Sequence, residues 1–253
     1  GDVVIKGTRG NDVTFAAVQY YDGSTTVEKG AVLRLGSGRP GGDGGLYTGG
    51  GHYKVVNDGS LILNNTAKSL TLPRISGSGS LTQAGLATTT LTGRAITYTG
   101  TTTVEKGTLA LRGGATLARS RAIRLTSATA RLDAGPAGLR VVSSLSGKGT
   151  VKGAVTNDGV VAGGLTVSGG YTQSARGQLV LGKSPLQVTG PVRLAGDLDL
   201  AAAGTDPARR ITVLDNKSGT KTTGAFKGLK EGTRLELADT TYRITYRGGD
   251  GND

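Results

Sequence analysis

The sequence predicts an all-β chain, and within that class a parallel β-helix (solenoid) with a divergent C-terminal cap. Three observations carry this. First, Tyr21 to Gly30 (YDGSTTVEKG) recurs at Tyr98 to Gly107 (YTGTTTVEKG), a near-copy at a distance that several coils of a strand-turn solenoid would fill. Second, short alternating apolar runs are interrupted by Gly-containing turns about every eight to ten residues, the spacing of consecutive short strands. Third, aromatic residues make up only 4% of the 253 residues, with no Trp and two Phe, while Gly numbers 45. A core without large rings must be assembled from many small aliphatic layers. Short strands of this kind also suit a sandwich or an antiparallel barrel. The internal echoes favour the β-helix, in which equivalent strands stack at about 4.8 Å, inward Val, Leu and Ile form ladders, and Thr, Lys and Glu face solvent.

Taken in order, Val3-Val4-Ile5 and Val13-Thr14-Phe15 read as strands, followed by the first TTVEKG unit running into Ala31-Val32-Leu33-Arg34-Leu35. Residues 36–51 (GSGRPGGDGGLYTGGG) hold too few apolar residues for a coil wall and read as a protruding loop. Val55-Val56 and Leu61-Ile62-Leu63 flank Asn57-Asp58-Gly59, a strong turn signal. Ile75 to Thr82 (ISGSGSLT) and Leu145 to Lys152 (LSGKGTVK) form a second echo, with small polar residues between apolar ends. Thr88 to Thr92, Thr102 to Val104 and Ala122 to Leu125 alternate between them. From Val155 the runs continue through Leu165-Thr166-Val167, Leu179-Val180-Leu181, Leu186-Gln187-Val188, Val192-Arg193-Leu194 and Leu198-Asp199-Leu200. Ile211 to Leu214, Leu235-Glu236-Leu237 and Tyr242 to Arg247 are separated by charged loops, as in a cap over the last open edge. The expected organisation is a single domain over 1–253, with repeat coils over 1–205 and a cap over 206–253.

The segments Tyr98 to Leu111 (YTGTTTVEKGTLAL) and Tyr21 to Leu35 resemble the autotransporter-associated β-strand repeat, with its Tyr-Thr-Gly-x-Thr-Thr-Val segment followed by Gly-Thr-Leu and alternating Leu. Ile75 to Thr92 looks like the lead-in to that repeat, and Gly164 to Gln173 and Tyr242 to Asp253 look like the downstream end of such passenger regions. The resemblance implies a right-handed β-helix displayed outside the cell as a stalk, adhesin or accessory region. No membrane-spanning barrel follows in this sequence, a departure from that pattern.

Composition bounds the chemistry. With no Cys there is neither a disulfide framework nor a thiolate nucleophile or metal ligand. No apolar run approaches the roughly 20 residues that cross a bilayer as a helix, and the start at Gly1 shows no signal-peptide pattern, so a processed or excised piece of a larger protein is expected. The net charge of +12 draws polyanions. The basic residues are scattered singly, without the interleaved aromatics that stack exposed bases, so nucleic acid is not expected. Acidic cell-surface or extracellular glycans are the partners considered, together with a covalently linked catalytic domain, for a monomeric, secreted or cell-surface protein.

No catalytic residue, metal site or cofactor is expected. Tyr47, His52 and Tyr53, in and beside the Gly-rich excursion, are the candidate ligand contacts, because a phenol ring offers an apolar face with a polar tip and loops on a rigid wall commonly carry binding. His52, the only histidine, has no Gly-x-Ser-x-Gly partner for a triad and reads more simply as a loop residue. Asp197 and Asp199 share one face of a strand, as a hydrolase pair requires, yet inward Leu198 and Leu200 already explain the alternation. Gly248 to Asp253 (GGDGND) matches the start of a calcium-binding nonapeptide, and Gly41 to Gly45 matches it more poorly; single copies read as turns, since each ion draws oxygens from neighbouring turns. Tyr242, Ile244 and Tyr246 are expected to pack on the last coil. The leading function is therefore a non-enzymatic extracellular stalk or adhesive module; the alternatives are a polysaccharide-binding accessory module and a β-helix glycan hydrolase or lyase.

Overall fold

The computed structural model describes residues 1–7, 12–47, 53–182, 184–200, 211–237, 240–248 and 251, and every regular element among them is a β-strand. Two compact units divide the chain, 1–135 and 136–253. The expected boundary between coils and cap, at 205–206, lies outside the described residues.

The first unit is a parallel β-helix with two main walls. One wall stacks Val3–Ile5, Ser24–Val27, Lys54–Asn57, Leu70–Ser76, Thr88–Ile96, Thr108–Arg112 and Arg131–Asp133 in that order. The other stacks Asp12–Phe15, Val32–Leu35, Ser60–Leu63, Ser80–Gln83, Thr102–Val104 and Ile123–Leu125. Because successive side chains in a strand point to opposite faces, in-register pairing turns each sequence alternation into a ladder. Val13, Leu33, Leu61, Leu81, Thr102 and Ile123 form one rung line, and Leu33, Leu61 and Leu81 are fully buried. Each fully buried Leu contributes roughly 1.5–3 kcal/mol, so a ladder of small aliphatic residues supplies what large rings would in a globular core.

The two copies of the TTVEKG unit occupy different walls. In the first, Ser24–Val27 belongs to the first wall and the chain turns at Gly30 into Val32–Leu35 of the second. In the second, Thr102–Val104 belongs to the second wall and the chain turns at Gly107 into Thr108–Arg112 of the first. Gly30 and Gly107 have φ of 86° and 62°, the left-handed region that side chains with a Cβ disfavour. The motif thus specifies strand, left-handed corner and strand, and the two walls are alike enough that either can begin it.

The tyrosine that opens each copy is structural. Tyr98 is buried, and its hydroxyl shares a hydrogen bond of 2.7 Å with Thr102 Oγ1, which is in turn 2.8 Å from Ser120 Oγ. Tyr21 pairs with Thr25 Oγ1 in the same way at 2.5 Å. Burial pushes the Tyr98 phenol up to about 12, against the opposing pull of the Thr102 and Ser120 hydrogen bonds.

In residues 136–253 the coil has three walls: Leu139–Val141, Val155–Asn157, Tyr171–Gln173, Val192–Leu194 and Thr223–Gly224; Ser144–Gly147, Val160–Ala162, Gln178–Val180 and Asp197–Asp199; and Thr150–Lys152, Thr166–Ser168, Leu186–Val188 and Leu214–Asn216. The registers Leu139↔Val155↔Tyr171 define a coil of 16 residues here, against 20 for Ser60↔Ser80 in the first unit. An antiparallel hairpin, Arg234–Leu237 with Thr240–Arg243, follows the last coil strands. It is the divergent end anticipated from the charged C-terminal loops. Antiparallel pairing ends the run of parallel ladders.

Buried polar side chains join successive coils. Asn57, which opens the Asn57-Asp58-Gly59 turn signal, and Asn157, which opens a second Asn-Asp-Gly at 157–159, both face inward and are fully buried. Asn57 Nδ2 donates to the Ser80 carbonyl at 2.8 Å and Asn157 Nδ2 to the Gln178 carbonyl at 3.0 Å, each one coil away. The following aspartates act similarly, with Asp58 accepting from Ser78 N and Oγ at 2.9 Å. The turn signal is therefore also an inter-coil staple.

Candidate functional site

The described part of the Gly-rich stretch, residues 36–47, does not simply protrude. Gly45–Leu46 forms a short parallel pair with Val18–Gln19, and Asp43, Gly44, Gly45 and Leu46 are all buried. Two side chains tie this otherwise loop-like stretch to the neighbouring coil. The Asp43 carboxylate accepts hydrogen bonds from the backbone N–H groups of Thr66 (2.7 Å), Ala67 (3.1 Å) and Lys68 (2.7 Å). Asn65, also buried, bonds Gly44 as a backbone strand would: its Oδ1 accepts from Gly44 N and its Nδ2 donates to Gly44 O, both at 2.9 Å.

The Thr66 and Lys68 N–H groups hold the Asp43 carboxyl below its ordinary value of 3.8. Those donors also make Asp43 part of an anion cradle, an environment opposite to that of a calcium ligand. Because the folded-state value is depressed, the stabilisation is present above the unfolded value and is lost as pH falls through the folded value. Thermal denaturation followed from pH 7 to pH 2 should therefore show an acid-side loss of stability that is smaller in Asp43→Asn. An unchanged acid limb would contradict the cradle.

This tethered segment positions an exposed tyrosine pair. Tyr20 and Tyr47 follow directly on Gln19 and Leu46, which pair in register, and Tyr47 N donates to Gln19 O at 3.0 Å. Their rings lie 5.6 Å apart with planes inclined at 38°. Tyr20 is 79% exposed and Tyr47 45%, and Val18 beside them is also exposed. Aromatic side chains at equivalent positions of adjacent coils fall naturally at this separation, since it is close to the inter-strand spacing.

Of the three expected ligand contacts, Tyr47 is in this exposed pair and His52 lies outside the described residues. Tyr53 is corrected: it is only 4% exposed, with its hydroxyl buried and burial raising its phenol pKa, so its ring belongs to the core. Tyr53, Val55 and Asn57 are the inward half of one alternation. Tyr20 was not anticipated, although a signal for it exists. Adjacent residues of an extended chain face opposite ways, so an inward Tyr21 directs Tyr20 outward.

Elsewhere the candidate chemistry thins. Asp197 and Asp199 do share an outward face, but their partners on the neighbouring strand are Gln178 and Val180, so the pairing brings them no further carboxylate. At the C-terminus, Gly251 N donates to Gly248 O at 2.8 Å, closing a turn, while 249–250 and 252–253 lie outside the described residues. Several basic residues are matched across coils rather than left as free charge: Arg34 with Asp12 at 2.6 Å, Arg112 with Asp133 at 2.7 Å and Arg140 with Asp158 at 2.6 Å. Among the described residues no group of three or more His, Asp or Glu is placed to hold a metal ion, and no helix is long and apolar enough to cross a membrane. Compared with known proteins, the chain matches no family model, no curated protein and no solved structure.

Proposed function

We propose that this chain is a non-catalytic, extracellular adhesive β-helix module that binds polysaccharide at Tyr20 and Tyr47. The observation carrying this reading is the exposed ring pair itself. Tyr53, Tyr98 and Tyr171 are buried in the coils, whereas Tyr20 and Tyr47 stand side by side at the surface on a backbone held by Asp43 and Asn65. A sugar ring presents axial C–H groups to such a flat face, and a fixed platform loses little conformational entropy on binding. The resemblance of the TTVEKG segments to autotransporter passenger repeats supports display outside the cell, as a stalk or as the accessory region of a larger secreted protein.

Pull-down on a panel of neutral and acidic polysaccharides tests the reading. Tyr20→Ala and Tyr47→Ala should each weaken binding about tenfold or more, roughly 1.4 kcal/mol, without changing the unfolding temperature materially. Binding by both variants as tight as that of the unsubstituted chain would eliminate the platform. Charge supplies a separable contribution: with +12 overall, retention on an acidic polyuronate should fall steeply with salt, because the screening length contracts from about 8 Å at physiological ionic strength to about 3 Å at 1 M. Retention surviving at 1 M salt should be lost in the Tyr20→Ala/Tyr47→Ala double variant.

A further inference from the structure

Within the second unit, a cavity of about 180 Å³ lies between the last coil and the C-terminal hairpin. Leu194, Leu198 and Leu214 line its coil side, and Leu235, Leu237 and Tyr242 its hairpin side. Protein interiors pack at crystal-like density and retain few voids larger than a water molecule. A dry apolar cavity of about 150 Å³ is large enough to take benzene. The lining is mainly apolar but includes Thr212, Thr222, Arg243 and Thr245; the Tyr242 hydroxyl stands apart because it is buried and has no protein hydrogen-bond partner among the described residues. Its neighbour Tyr246 differs, since that hydroxyl accepts from Phe226 N at 3.1 Å and donates to Leu229 O at 2.6 Å. A buried phenol without a partner is costly unless something else satisfies it.

We propose that this cavity is a binding site for a small neutral molecule with an apolar ring or short acyl body and one oxygen that hydrogen-bonds the Tyr242 hydroxyl. The site is separate from the tyrosine platform and does not depend on the polysaccharide reading. Leucines from both sides enclose the apolar body, and the phenol selects the polar atom.

Benzyl alcohol and toluene are suitable probes, because they share a ring and differ in the oxygen. Ligand-observed NMR titrations on the full chain should show both binding. Tyr242→Phe should weaken benzyl alcohol about five- to tenfold, the effect of one neutral hydrogen bond, and leave toluene unchanged. The same substitution should leave the unfolding temperature unchanged or higher, since it removes an unpaired buried polar atom. Leu235→Trp and, independently, Leu237→Trp should fill the space and abolish binding of both probes. Failure of the unsubstituted chain to bind either probe would overturn the proposal. So would binding that persists in both filled variants, or an equal loss of both probes in Tyr242→Phe.

Discussion

Gly44→Ala is expected to be among the most damaging single substitutions in this chain, lowering stability by about 3–5 kcal/mol, on the order of 10 °C in unfolding temperature. A Cβ at Gly44 falls 1.6 Å from the Phe15 carbonyl oxygen and 2.7 Å from Gly36 N, both backbone atoms that no rotamer change moves aside. Relief requires the segment to withdraw, and withdrawal breaks both Asn65 hydrogen bonds to Gly44 together with the hold on Gly45–Leu46. Gly41 is the internal control. It has φ of 76° but open space around its Cβ position, so Gly41→Ala should cost only about 1–2 kcal/mol for the left-handed conformation. Thermal unfolding of the two variants separates packing from backbone conformation. Because Leu46 precedes Tyr47, Gly44→Ala should also lose polysaccharide binding even at temperatures where the rest of the unit stays folded. A Gly44→Ala protein that unfolds with the unsubstituted chain would contradict the close packing of this segment against Phe15.

The same segment marks how far the sequence could be read. Ladder strands such as Leu186-Gln187-Val188 and Val192-Arg193-Leu194 were legible because each carries its own alternation, and parallel stacking only repeats that local signal. Residues 36–47 were not legible. Their order comes from Asp43 bonding the backbone of 66–68 and from Asn65 imitating a strand, contacts spanning 21 to 25 residues with no periodicity to betray them. The repeat was legible as a repeat but not in its phase, since a motif that encodes strand, corner and strand does not say which wall it starts on. At the candidate site, Tyr47 was found because it sits in an obvious irregularity. Tyr53 was misplaced because its alternation with Val55 and Asn57 begins just as that irregularity ends. Tyr20 was hidden by its neighbour Tyr21, whose match to Tyr98 absorbed the pattern.

Asn157→Ala is expected to cost about 3 kcal/mol, and Asn57→Ala nearer 1 kcal/mol, although both residues open an Asn-Asp-Gly turn and both are fully buried. The difference lies in what each side chain serves. Asn157 Nδ2 reaches the Tyr171 hydroxyl at 3.0 Å and Gln173 Oε1 at 3.3 Å besides the Gln178 carbonyl, and its Oδ1 accepts from Gly159 N at 3.1 Å. Tyr171 also donates to Gln173 Oε1 at 2.8 Å, while Gln173 Nε2 donates onward to the Gly177, Ala195 and Asp197 carbonyls. Removing Asn157 thus strands several buried polar groups at once, in surroundings where each unsatisfied group costs about 1–3 kcal/mol. Among the described residues Asn57 makes one side-chain hydrogen bond, to Ser80 O, and its own Oδ1 is buried without a partner, so truncation deletes a penalty along with a bond. Chemical denaturation of the two single variants tests the ordering. A double-mutant cycle of Asn157→Ala with Gln173→Ala should then return a coupling of about 1 kcal/mol or more, because the first substitution already disorders what the second would remove. Equal costs for Asn57 and Asn157, or additive losses in the cycle, would show that these asparagines act only as turn formers and that the buried network contributes nothing to holding the coils together.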